Sequence, residues 1–277
     1  MEINRLIKKF TIYQCMSAFL AILTLTSAFF YGFGISSLIP VLISVLTTTI
    51  LDLIINYLKF KTIEFPYSAF ISGLFIGGLL TQNLSWYIYV IAGIIAIASK
   101  HILKVHHRHI FNPANFGVLL VFLIFNSYNS WWISSPLILV LIFGIFILWR
   151  LRRFDLGISF LAAYYILHAI IGWSIIPAGI SMMGTMPMMM SNFYRSFTSQ
   201  GIIFFFAMFM LIEPKTNPAA RKPRIFYGIL VAVMYIGIEI YNPVFGLPFV
   251  LAVANLFVPL LNRISFEVRK KNVQTND

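Results

Sequence analysis

The sequence predicts an all-α, polytopic membrane protein of about ten transmembrane helices in two inverted repeats of five. Three observations carry that prediction. Of the 277 residues 60% are hydrophobic and only 10% charged, whereas soluble domains carry roughly a quarter charged residues. The apolar residues fall into runs long enough to enter or cross a bilayer. The lysines and arginines fall into alternate segments between those runs, as positive residues do on the cytoplasmic side.

The runs are read as spans over residues 11–34, 36–58, 68–80, 85–103, 113–128, 135–149, 154–176, 196–212, 224–240 and 245–261. The third, fifth and sixth are short, and a short span beside Gly or Pro is expected to be a broken or half-crossing helix that lines a cavity. The basic start "MEINRLIKKF" precedes a run too long for a cleavable signal, so the first span is expected to remain as an anchor. Cys15 is the sole cysteine and reads as a small apolar residue within that span, which excludes an intrachain disulfide framework and a C-x-x-C motif. With both termini cytoplasmic, every lysine and arginine except Arg195 lies on the inner side. The net charge of +12 is thus topogenic charge facing anionic lipid of the plasma or inner membrane, and implies no nucleic acid.

An internal repeat divides the chain. "IFNPANFGVLLVFLI" from Ile110 resembles "IYNPVFGLPFVLAVA" from Ile240, and "GLFIGGLLTQN" from Gly73 sits where "FAMFMLIEPKTN" from Phe206 sits in the second half. The halves are read as 11–128 and 129–262, between a cytoplasmic N-terminus (1–10) and a cytoplasmic tail (263–277). Five spans per half is odd, so the second half is expected upside down relative to the first. Asn112-Pro113 and Asn242-Pro243 each read as a helix start, with asparagine as cap and proline in the first turn, where its missing N–H would be unpaired anyway. Gly117 and Gly246 then allow either close helix approach or room for a flat ligand.

The segments "SAFISGLFIGGLL", "ASKHILKVHHRHIFNPANFGVLL" and "FFFAMFMLIEPKTNP" resemble the RnfD and NqrB family, the large membrane subunits of the Rnf complex and of the sodium-pumping NADH:quinone oxidoreductase. The resemblance spans about residues 11–261 and is most specific around "FNPAN". It implies a urea-transporter-like fold, a flavin (FMN or riboflavin), electron transfer in step with Na+ or H+ movement, and other membrane redox subunits as partners. It places His109, Asn112, Asn115, Gly117, Thr185 and Thr216 near the flavin. The family's covalent FMN acceptor lies in a motif like D-x-x-[ST]-G-A-T-P. Setting Gly184 and Pro187 on that motif puts Thr185 on its Ala, Met186 on the acceptor Thr and Ile180 on the Asp, so the resemblance implies a non-covalent flavin in a divergent member.

The six methionines from Met182 to Met190 would suit Cu(I), but no His or Cys accompanies them, and a pliable apolar cap is the preferred reading. His101, His106, His107 and His109 belong to the positive stretch between spans four and five; 106, 107 and 109 lack the spacing of paired helical metal ligands. No metal site is expected. Lys100, Lys104 and Arg108 are able to pair with phosphate there. His168 reads as a bundle histidine. Acids inside a membrane mark ion pathways, which singles out Asp52, deepest of the three, with Glu213 and Glu239. Glu213 alternatively pairs with Lys215 or Arg221, and Asp155 is expected to pair with Arg152 or Arg153. No nicotinamide fingerprint or Fe–S cysteine set is present, so any redox role is that of a subunit fed by partners. A carrier for a small polar solute and a cofactor-free assembly protein are the alternatives.

Overall fold

The structure, a computed structural model, describes residues 10–105, 108–174, 200–241 and 246–274. Among the described residues it is helical, with four helices long and apolar enough to cross a membrane and six shorter apolar ones. In chain order these are α1 Ile12–Phe30, α2 Leu38–Phe60, α3 Tyr67–Leu79, α4 Trp86–Ile102, α5 Pro113–Phe125, α6 Leu137–Leu151, α7 Phe154–Ser174, α8 Gln200–Met210, α9 Arg221–Tyr241 and α10 Gly246–Gln274. The short third and fifth spans are 13-residue helices, about 20 Å long at 1.5 Å per residue and so shorter than the ~30 Å hydrocarbon core. Chain contacts divide the protein into two compact units, Met1–Leu151 and Arg152–Asp277. The first span of the second repeat, α6, therefore packs in the first unit, where Phe19 of α1 stacks on Phe143 at 4.3 Å.

In the first unit α1 begins with a reciprocal cap: Gln14 N donates to Thr11 Oγ1 at 3.2 Å and Thr11 N donates to Gln14 Oε1 at 2.8 Å. Helices α3 and α5 are the buried pieces, and α1, α2, α4 and α6 present apolar side chains outward. On α2, Leu42, Leu46, Ile50 and Ile54 recur every four residues and are all exposed, as a lipid-facing stripe requires. The inner side is close-packed through glycine. A Cβ on Gly73 would come within 2.6 Å of Thr48 Oγ1, and one on Gly77 would strike the Val41 backbone. Without a driving force between helices other than packing and hydrogen bonds, such small residues let backbones approach in a membrane.

The loops that follow α3 and α5 are tied together. Ser130 N donates to Leu79 O at 2.9 Å, Leu80 bridges Asn129, and the Trp132 indole donates to Gly77 O at 2.9 Å. These bonds satisfy carbonyls that a helix ending inside a membrane would otherwise leave bare. Between α4 and α5 the chain forms a small antiparallel hairpin, β1 Lys104–Val105 with β2 Arg108–His109, where the sequence suggested only a loop. His106 and His107 lie outside the described residues.

In the second unit α9 packs along α7. Gly228 faces the backbone of Leu156 and Phe160, and a Cβ there would also strike Ser159 Oγ. Buried Tyr227 donates to Asn255 Oδ1 of α10 at 2.5 Å. The last residues of α8, Phe206–Met210, form a π-helical turn, all of it buried. Asp155 pairs with Arg224 of α9 at 2.7 Å rather than with Arg152 or Arg153. The correction has a geometric cause: its neighbours in sequence are at the turn that starts α7, with Arg152 in the left-handed region at φ 54°, whereas α9 brings Arg224 alongside the carboxylate.

Candidate functional site

The first unit holds a buried ionic triad. Asp52 projects from α2 two turns before its end and is 1% exposed. Lys100 Nζ donates to its Oδ2 at 2.7 Å, and His101 Nε2 lies 2.7 Å from its Oδ1. Asn56, one turn further along α2, donates to Oδ2 at 3.4 Å. Both basic side chains come from the last turn of α4, where exposed carbonyl dipoles favour positive charge. Gly93 explains how α4 comes so near, because its missing Cβ leaves the space that Thr47 fills, 2.9 Å from where a Cβ would lie. The charges are desolvated but mutually satisfied, the arrangement that makes a buried ion tolerable.

The triad reassigns two residues. Lys100 and His101 do not belong to a phosphate-facing loop: they are the partners of Asp52, at the end of a helix. A lone carboxylate in an apolar helix requires such partners, and the two basic residues closing α4 were the readable signal. The requirement names no partner, however, since 48 residues separate Lys100 from Asp52.

The predicted flavin set is distributed over both units. Asn112 caps α5 by accepting from Asn115 N at 3.1 Å, with Pro113 in the first turn. His109, Asn112 and Asn115 are all buried. The bare face of Gly117 is filled by α4, through the carbonyl of Ala92 and the methyl of Ala96, so here the close helix approach is realised. Thr216 lies in the second unit, buried in the turn after α8, where its N–H donates to Glu213 O at 3.1 Å and Asn217 Nδ2 donates to the same carbonyl at 2.8 Å. In the first unit Asn112 thus closes a helix end and Gly117 a helix contact, and in the second Thr216 closes the turn after α8. Thr185, Met186 and the second Asn-Pro, Asn242-Pro243, lie outside the described residues. Replacing Asn112 by Ala is expected to lower stability by about 1 kcal/mol through loss of the cap, read as a lower unfolding temperature in detergent, with Asn112→Ser retaining most of it; equal losses for both variants would assign Asn112 another role.

Glu213 lies three residues past the end of α8, and Glu239 lies near the end of α9, one turn beyond Tyr235. Tyr235 packs against Tyr164 of α7 with ring centroids 5.8 Å apart, and Tyr164 stacks on His168 at 5.2 Å. Among the described residues no three His, Cys, Asp or Glu side chains gather as a metal site.

Ten apolar helices among the described residues, several with exposed apolar faces, make this a multi-pass membrane protein. The curated proteins contain no match to it. The sequence profile of one family matches in two stretches, residues 7–137 and 133–271, which together take in nearly the whole chain and echo its two halves; the chain belongs to the NQR2, RnfD, RnfE family.

Proposed function

We propose that this protein is the membrane-embedded, flavin-binding subunit of an Rnf/Nqr-like electron transport complex that couples electron transfer to cation movement, with both termini cytoplasmic and its halves inverted. The observation that supports this reading is the Asp52–Lys100–His101 triad in a chain of this family. Ionisable groups inside a membrane are expensive and mark ion or proton pathways. Asp52 has both oxygens engaged, so a cation or proton enters by exchange with Lys100 or His101 rather than by filling an open carboxylate. The flavin, FMN or riboflavin, would supply electron transfer and is read as non-covalent because Met186 stands at the acceptor position.

Two measurements test the reading. In the complex with its partner subunits, His101→Gln is expected to lower electron-driven cation flux at least tenfold while assembly is unchanged; undiminished flux would remove the triad from the pathway. An absorption spectrum of the purified protein, before and after acid precipitation, is expected to show flavin bands that leave with the supernatant. Bands that stay in the pellet would mean a covalent flavin. No flavin, with solute flux in vesicles, would favour a carrier.

A further inference from the structure

The two units repeat one helix contact. Gly93 of α4 faces Thr47 and Thr48 of α2, and Gly228 of α9 faces Ser159 and Phe160 of α7. The matched glycines open "GIIAIASK" and "GILVAVMY", so Lys100 and Tyr235 stand at the same distance from them. Four residues beyond Thr48 is Asp52, and four beyond Phe160 is Tyr164. Both pairs then meet: Lys100 with Asp52 at 2.7 Å, and Tyr235 with Tyr164 at a centroid distance of 5.8 Å. The position that carries a fixed ion pair in the first unit thus carries two phenols in the second. One turn further along the same faces come His168 on α7 and Glu239 on α9.

We propose that Glu239 and His168 form a proton-exchange site in the second unit, one turn beyond the counterpart of the Asp52–Lys100 contact in the first. Glu239 Oε2 is buried and has no hydrogen-bond partner among the described residues, and Glu239 and His168 each stand one turn beyond the Tyr235–Tyr164 contact, where Tyr164 stacks on His168. An ionised carboxylate in such a place is costly unless a neighbour carries the opposite charge. With tyrosine where the first unit has lysine, no fixed cation stands at the equivalent position, and His168 is the basic side chain at this end of the contact, away from the Asp155–Arg224 pair. The balanced step is transfer of one proton from the Glu239 carboxyl to the His168 imidazole, giving carboxylate and imidazolium, and its reversal. The other titratable groups on the contact are Tyr164 and Tyr165 of α7, Tyr227 and Tyr235 of α9, and the Asp155–Arg224 pair at its opposite end. Residues 200–210 of α8 and 246–254 of α10 carry none.

The use of this site in translocation rests on the ion-coupling reading above; its chemistry does not. The full chain in lipid nanodiscs would be titrated by infrared difference spectroscopy in H2O and D2O. A protonated-carboxyl C=O band that titrates, shifts in D2O and is lost in Glu239→Gln is expected. His168→Phe, which keeps the ring on Tyr164, is expected to move its midpoint at least tenfold in proton concentration. Glu239→Asp, which keeps the carboxyl, is expected to displace the band without removing it and serves if Glu239→Gln does not fold. Identical spectra for wild type and Glu239→Gln, or a midpoint untouched by His168→Phe, would overturn the proposal. A titrating band without electron-driven cation flux would leave it standing and sink the translocation reading instead.

Discussion

Replacing Asp52 by Asn is expected to destabilise the protein by about 3–5 kcal/mol, the usual consequence of removing one partner from a buried ion pair. The cost comes from what remains. Lys100 is 11% exposed at its side chain and loses the carboxylate that made its burial tolerable, while the amide offers a single acceptor oxygen and no charge. The measurement is thermal unfolding of the purified variant in detergent. Lys100→Met alone is expected to be similarly harmful, because it leaves Asp52 with His101 as its remaining basic partner. The double variant is expected to recover much of the loss, since neutralising both partners removes the orphaned charge. Additive losses in the double variant would mean that the two side chains do not interact, and would withdraw the triad from both the packing and the translocation accounts.

Gly117→Leu is expected to be the most damaging single apolar substitution in the first unit. Its Cβ would meet the Ala92 carbonyl and the Ala96 methyl, and neither can swing aside as the end of a long side chain could. Overpacking of this kind costs about 1–3 kcal/mol, occasionally more, and here it parts α4 from α5 and carries Lys100 and His101 away from Asp52. Size-exclusion of detergent extracts is expected to show mostly aggregated protein for Gly117→Leu and a partial loss for Gly117→Ala. Gly237 is the control, because a Cβ there would meet nothing within 4 Å. Gly237→Ala is expected to be neutral or to stabilise α9 by up to about 1 kcal/mol, as Ala does over Gly in a helix. Monodisperse Gly117→Leu would show that the two helices are not held at the spacing described.

Much of the fold was legible in the sequence because it depends on local chemistry. Backbone polar groups have no water to bond in a bilayer, so an apolar run must become helix, and its ends follow from residues within one turn of each other. The starts of α1 and α5 at Thr11 and Asn112 were fixed in this way, as were the short α3 and α5. The repeat showed as well, because related halves keep similar residue patterns at the same spacing, and the family profile matches each half in turn.

What the sequence by itself determined is therefore the helix inventory, the lipid-facing composition and the kind of residue that had to be paired. Only the tertiary structure decided the partners: Lys100 and His101 for Asp52, Arg224 for Asp155, and the α4 backbone for Gly117. It also packed α6 against α1 within the first unit. The physical reason is range. A cap or an apolar stripe is satisfied within about four residues, whereas a buried charge or a bare glycine face is satisfied by whichever helix arrives beside it, 48 residues away for Lys100 and Asp52 and 69 for Arg224 and Asp155.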